Sequence, residues 1–346
     1  MRAEGLVGFV SHNPEMTRNR KLVSALRERF RVKVFQPLPN SGLLALDLVS
    51  ACRLSSLAAQ ALVFRSPMVV DVNSLLPFPY PFRKRVVVDV STPFSVETDW
   101  LGYRLLGKTA PIWLRAALDG AKLAIAPNAP LERLALSLGA SRVIRVPNFP
   151  SKSFKPGHDR SFVLRKLALD PSLRYVAFAG SGRFTQIYGL ELMLRAWKLI
   201  ENKRKDVSLL VIGPRADDSN SKRSLNEAVS RLRIERCSTV GWLSEQDLAD
   251  ALSVADLALA PRTPGFPSEW YNHEDSTKIS EYAAVGLPIV ATGYLPSPQY
   301  LLTRQNPSSF AEGIEAALAG KVSVPKRQVW EDAASPLLDA LQRMIT

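Results

Sequence analysis

The chain has 346 residues, 46% of them hydrophobic and 22% charged, an ordinary globular composition with length for about two domains of the usual ~100 to 200 residues. No run approaches the ~18 consecutive apolar residues that a membrane span requires. The net charge of +13 is uneven: residues 1–150 carry 20 lysines and arginines against 10 acidic residues, and the remainder 25 against 22. Such a field draws in anionic partners, whether nucleic acid, phospholipid or a phosphorylated substrate.

Cys52 and Cys237 stand far apart without a CxxC partner, and His12, His158 and His273 lack ligand spacing, so disulfide scaffolds and zinc modules are excluded and no metal is expected. The segment Met1 to Ser11 has Glu4 inside its apolar stretch and no small-residue cleavage site, which predicts a cytoplasmic chain without a secretory signal.

In chain order, strands are predicted at Leu6–Val10, Val32–Phe35, Met68–Val72, Val86–Val90, Leu123–Ala126 and Val143–Val146, with helical spacing over Asn19–Phe30 and Leu43–Gln60 between them. This alternation predicts parallel strands with crossover helices in a doubly wound α/β sheet. The run from Val146 to Gly157 holds three prolines and reads as an interdomain linker. Alternation then resumes with strands Tyr175–Ala179, Ser208–Ile212, Ser238–Val240, Leu257–Ala260 and Ile289–Ala291. The helices between them fall at Leu190–Ile200, around Leu225–Leu232, at Glu245–Val254 behind an N-cap at Ser244, and at Thr277–Val285. A second α/β domain therefore follows the first.

Two segments carry candidate chemistry. After the strand ending at Ala179 comes Gly180-Ser181-Gly182-Arg183, with a helix opening after Gly189. Small residues let a ligand approach the backbone, a helix N-terminus favours phosphate, and Arg183 adds a bidentate donor. An ordinary strand-to-helix turn with a surface arginine would look the same. More specific is the long irregular stretch from Ala260 to Asp275, which feeds a short helix with Ser276 and Thr277 at its start, Lys278 in its first turn and Glu281 three residues on. Lys278 and Glu281 share a helix face, and a loop of that length inside a compact domain is usually functional. A solvated ion pair is the alternative.

These segments resemble the GT-B glycosyltransferases, in particular the retaining nucleotide-sugar group known as family four, or glycosyl transferases group 1. The resemblance covers most of the chain and is densest from Val146 to Thr292. It is carried by Val146-Pro147-Asn148 with Phe154-Lys155-Pro156, by Gly180 to Arg183 with Gly189, and by Leu209 to Gly213. Val240-Gly241-Trp242-Leu243-Ser244, Ala255 to Pro261, Lys278 to Thr292 and Val329-Trp330-Glu331 complete it.

It implies a GT-B fold of two Rossmann-like domains facing a cleft: an acceptor domain at 1–148, a nucleotide-sugar domain at 149–325, and a terminal helix at 326–346 returning to the first. It also implies donor binding by Gly180, Ser181, Gly182, Arg183, Gly213, Trp242, Ser276, Thr277, Lys278 and Glu281, with Glu281, His273, Glu274 and His12 as the catalytic candidates. No cofactor beyond the nucleotide-sugar substrate is implied.

Two positions depart from the family pattern. Its first glutamate falls on His273, with Glu274 one place off, and the lysine of its first phosphate loop is replaced by Tyr188. His12, in the loop after the first strand, is a candidate for meeting the sugar or acceptor, or simply caps that loop. Asp89 and Glu97 are further carboxylates at strand ends, where structural roles are common.

The apolar, proline-stiffened run Leu75 to Phe82 followed by Arg83, Lys84 and Arg85 points to an anionic membrane surface and a lipid-linked or glycan acceptor, with a buried packing loop as the alternative. No nucleic-acid motif is present, so nucleic acid is not expected as a partner. A nucleotide-sugar epimerase on the same scaffold, or a non-catalytic basic binding protein derived from it, would share these features.

Overall fold

The computed structural model describes residues 5–11, 17–35, 66–71, 85–119, 121, 123–157, 159–180, 182, 184–215, 218–324 and 329–345. The predicted helix Leu43–Gln60, His12, Ser181, Arg183 and the run 75–84 lie outside the described residues.

The chain divides into two units, one made of Met1–Asn148 and Trp330–Thr346, the other of Phe149–Val329. In the first unit the strands are β1 (Leu6–Val10), β2 (Arg31–Phe35), β3 (Met68–Asp71), β4 (Val86–Asp89), β5 (Leu123–Ala126) and β6 (Val143–Arg145). They form one parallel sheet in the order β2-β1-β3-β4-β5-β6. Its helices are α1 (Thr17–Arg29), α2 (Phe94–Trp100), α3 (Arg104–Leu118), α4 (Ala129–Ser137) and, from the far end of the chain, α11 (Trp330–Ile345). The residues of β3, β4 and β5 are all buried, which is why these strands read as unbroken apolar runs rather than alternating ones. Helix α11 lies beside α1, where Arg29 pairs with Asp339 at 2.5 Å and a Cβ on Gly5 would meet Ile345 at 2.9 Å.

The second unit holds β7 (Arg174–Ala179), β8 (Val207–Ile212), β9 (Cys237–Val240), β10 (Leu257–Pro261), β11 (Ile289–Thr292) and β12 (Leu301–Thr303). They too form a parallel sheet, ordered β12-β11-β10-β7-β8-β9. Helices α5 (Arg160–Lys166), α6 (Leu190–Lys203), α7 (Ser219–Arg231), α8 (Glu245–Ser253), α9 (Thr277–Ala284) and α10 (Pro307–Leu318) flank it. Successive residues of β7 serve opposite faces, as the period of a strand requires. Tyr175, Ala177 and Ala179 enter one core with Ile279 and Tyr282, while Val176 and Phe178 enter the other with Met193 and Trp197.

The sheet orders place the sites. In the second unit the chain winds outward from β7 to β9, then returns beside β7 with β10 and winds the other way. Between the carboxyl ends of β7 and β10 the flanking loops therefore diverge, leaving the crevice that doubly wound sheets use for ligands. The first unit has its own reversal between β1 and β3.

Candidate functional site

The loop after β7 is pinned to the segment after β10. Gly189 adopts φ +53°, and a Cβ there would lie 2.6 Å from the Arg262 carbonyl oxygen, so a side chain would be doubly penalised. Its N–H donates to Thr263 Oγ1 at 2.9 Å, that hydroxyl donates to Thr185 O at 3.0 Å, and Thr263 N donates to Ile187 O at 3.1 Å. Gly213, after β8, is equally constrained: at φ +99° any Cβ would collide with the Gly180 carbonyl oxygen. Gly182 lies against the Asp218 carboxylate, which caps α7 by accepting from Ser221 N at 2.9 Å.

Helix α9 is set against the end of β7 by Tyr282, whose hydroxyl accepts from Ala179 N at 2.7 Å. Ser276 is its N-cap, and Thr277 opens its first turn. Lys278 is directed inward. Its ammonium is buried without a hydrogen-bond partner and lies over the rings of Tyr188 at 3.6 Å and Phe178 at 4.2 Å. The residue as a whole is only half-buried, so the stem is wetter than the charge it carries, the reverse of the usual snorkelling arrangement. Burial and then the neighbouring Arg262 cation hold the Lys278 ammonium well below its ordinary pKa, with Glu281 opposing them.

Arg262, directly after β10, is boxed by four aromatic rings. Its Cζ lies 4.6 Å from the ring centre of Tyr271, 4.8 Å from those of Phe266 and Tyr294, and 5.8 Å from that of Tyr188. Its Nε is buried without a hydrogen-bond partner. Ring faces stabilise a cation, but they accept no directed N–H bond of normal strength. Two cations therefore sit within one another's field, each with hydrogen-bonding capacity unfilled. Such a pair is costly for the isolated chain and suited to a doubly charged anion.

Among the candidates read from the sequence, the crevice gathers Gly180, Gly182, Gly213, Ser276, Thr277, Lys278 and the buried Glu281 on β7, β8 and α9. Trp242 stands apart after β9, 54% exposed, with the Arg215 guanidinium 5.8 Å from its ring centre. His273 Nδ1 is 2.9 Å from Ser297 Oγ, its carbonyl oxygen accepts from Ser280 Oγ at 3.2 Å, and burial lowers its pKa against the pull of Glu274. Glu274 is held in a turn, accepting from Asn272 Nδ2 at 3.2 Å while its own N–H donates to Asn272 Oδ1 at 2.8 Å.

In the first unit, Arg85 is exposed at the start of β4. Asp89 is fully buried and held by Arg18, whose Nε and Nη2 donate to it at 2.7–3.1 Å. Among the described residues no cluster of three His, Cys, Asp or Glu side chains is arranged to hold a metal ion, and no helix is long and apolar enough to cross a membrane.

Arg262 is the residue that reading the sequence missed. The signal available was an arginine at a strand end in a segment thick with aromatics, with Phe266, Trp270 and Tyr271 in the next nine positions.

Residues 174–320 match the model of the family described as glycosyl transferases group 1. A search of curated protein sequences finds no match. Solved structures similar in fold include sucrose-phosphate synthase from Thermosynechococcus elongatus, with a TM-score of 0.69 at 17% identity over 99% of this chain and 96% of that one. HepE of Anabaena, solved with UDP and glucose, aligns with a TM-score of 0.67 at 16% identity over 99% and 97%. A UDP-forming α,α-trehalose-phosphate synthase from Burkholderia xenovorans gives 0.65 at 13% identity over 98% and 96%. These likenesses span both parallel sheets, while the family match falls on the strands and helices around the Arg262–Lys278 crevice. The chain thus has the GT-B fold, and residues 174–320 of its second unit are similar to the glycosyl transferases group 1 family.

Proposed function

We propose that the protein transfers a sugar from a nucleoside diphosphate sugar to an acceptor. The observation that carries this reading is the juxtaposition of Lys278 and Arg262, two buried cations with unfilled hydrogen-bonding capacity at the switch point of the second sheet. A diphosphate arriving there gives Lys278 the anionic partner it lacks and draws its ammonium off the Tyr188 ring. The N-terminus of α9 adds its partial positive charge. As the glycosidic bond breaks, negative charge grows on the departing diphosphate, and cations already in place stabilise it without reorganising.

The chain's own cations supply that stabilisation, so the reading needs no metal. Glu281 orients the donor ribose or sugar, and the exposed Trp242 offers its face to the base. Departure and attack on one face of the sugar give retention, with a donor phosphate oxygen taking the acceptor's proton. HepE, solved with UDP and glucose, makes UDP-glucose the first donor to offer. The basic first unit favours an anionic acceptor, lipid-linked or glycan, on the inner face of a membrane.

The test is calorimetry and product analysis with a panel of nucleotide sugars. Binding of at least one donor, weakened in both Lys278→Met and Arg262→Gln, together with transfer to a glycan or lipid-linked acceptor, is the expected result. Epimer without transfer would replace the reading with an isomerase. Unchanged affinity in both variants would remove the diphosphate from this crevice.

A further inference from the structure

Among the described residues, five of the eleven large apolar side chains that remain exposed fall within one stretch of fourteen residues. Trp100 ends α2, Tyr103 stands between the helices, and Leu105, Ile112 and Trp113 lie on α3. Helix α3 explains the clustering. It turns Gly107 toward α2, where a Cβ would stand 3.0 Å from Asp99 Cβ and the Ser95 carbonyl oxygen, and it buries Ala110, Leu114 and Leu118 in the core of the unit. With 3.6 residues per turn, the side facing away from α2 is then Leu105, Thr109, Ile112 and Ala116, with Trp113 at its border. Leu105 and Ile112 are each 64% exposed. An outward face of this composition is the inverse of an ordinary surface helix.

Cations flank it. Arg104, Lys108 and Arg115 are exposed, and the stretch from Trp100 to Leu118 contains no carboxylate. A second copy of the chain is a poor occupant, because a self-complementary pairing would bring these cations against their own equivalents. An anionic lipid surface satisfies both features: acyl chains take up the aliphatic side chains, Trp and Tyr rings settle at the headgroup level, and the cations meet lipid phosphates.

We infer that α3 is a membrane-docking helix that lies in the interface of an anionic bilayer and seats the first unit there. The inference rests on the membrane part of the proposed function but assigns the contact to α3 rather than to the run Arg83-Lys84-Arg85.

The full chain floated with phosphatidylcholine vesicles, with and without phosphatidylglycerol, decides it. Association should require the anionic lipid and weaken with salt. It should fall roughly tenfold or more both in Leu105→Ser/Ile112→Ser/Trp113→Ser and in Arg104→Ser/Lys108→Ser/Arg115→Ser, with melting temperatures held. Brominated lipid should quench Trp113 fluorescence, seen as quenching lost in Trp113→Phe. Retained binding in both triple variants, with loss in Arg83→Ser/Lys84→Ser/Arg85→Ser, would overturn the assignment to α3 and keep the membrane. No binding by the unaltered chain, or equal binding to neutral vesicles, would overturn both. Dimerisation through this face without vesicle binding would also overturn the inference.

Discussion

Arg18 and Arg262 are both buried arginines near the carboxyl edge of a parallel sheet, and their surroundings are opposite. Arg18 is saturated: it forks onto Asp89, donates from Nη1 to Val146 O at 2.8 Å and to Asn148 Oδ1 at 2.7 Å, and has the Trp330 ring 5.9 Å away. Nearby, Asp71 stands in register with Asp89 and accepts from Ser11 Oγ and Asn19 Nδ2, both at 3.1 Å. Arg262 is surrounded by rings, keeps an unpartnered Nε and has a second cation for a neighbour. Burial alone therefore does not mark a functional charge. A buried charge whose bonds are complete holds the fold, and one whose bonds are incomplete awaits a partner.

The largest effect is expected where saturation is removed. Asp89→Asn leaves Arg18 without its counter-charge and should destabilise the first unit by about 3 to 5 kcal/mol, measured by urea unfolding. Arg18→Met/Asp89→Leu should recover most of that loss. A cost below ~1 kcal/mol for Asp89→Asn would show that the pair is not what holds these strand ends.

Lys278→Met should behave in the reverse sense. Removing an unpaired buried cation is expected to stabilise the fold by about 1 to 4 kcal/mol, while nucleotide-sugar affinity weakens by about 1.5 to 3 kcal/mol. Differential scanning calorimetry and titration calorimetry read the two separately. A fall in melting temperature would contradict the contrast with Arg18.

The contrast also has a pH signature. The free protein holds the Lys278 ammonium at a depressed pKa, and pairing with a diphosphate must raise it, so binding takes up a proton. Affinity should then fall as pH rises through the depressed value, and the heat of binding should change between buffers of different ionisation enthalpy. Without ligand the sign for stability is opposite: between the depressed value and the ordinary one the unfolded chain holds the proton that the folded chain lacks, so stability contributed at Lys278 rises with pH. Buffer-independent heats would exclude the coupling.

The smallest effect is expected at Tyr188, whose ring lies under both cations of the crevice. Tyr188→Leu should cost about 0.5 to 2 kcal/mol of stability, and Tyr188→Phe close to none, since the ring face and not the hydroxyl meets the ammonium. Equal losses in the two variants would shift the role to the hydroxyl.

Much of the scaffold was legible. Among the described strands β12 (Leu301–Thr303) went unpredicted, and the others fell within a residue or two because they are rich in Val, Leu, Ile and Ala; Ser244 and Ser276 cap α8 and α9 as their sequence context predicts. Other helices escaped for identifiable reasons. Pro111 lies inside α3, where proline ordinarily ends a helix. The start signals of α4 and α10, Asn128 with Pro130 and Asn306 with Pro307, were present but introduced segments too rich in small or apolar residues to show a clean period. At the site, spacing pointed to Lys278 and Glu281. Arg262 stayed hidden because its box is assembled from Tyr188, Phe266, Tyr271 and Tyr294, which span 107 positions of the chain and meet only once the parallel sheet has wound in both directions.

The first unit is discontinuous, closing only when α11 comes back to lie beside α1. On the ribosome this inverts the order in which the two units finish. Residues 149–329 emerge as one uninterrupted stretch, whereas the opening 148 residues must wait until the last helix has been translated before Ala334, Leu337, Leu338 and Leu341 can cover their share of the core. At typical translation speeds of about 5 to 20 residues per second, the N-terminal sheet spends on the order of ten seconds or more without its final helix, its apolar edge open to chaperones. A frameshift or early stop anywhere in the closing stretch therefore damages the part of the protein that was made first.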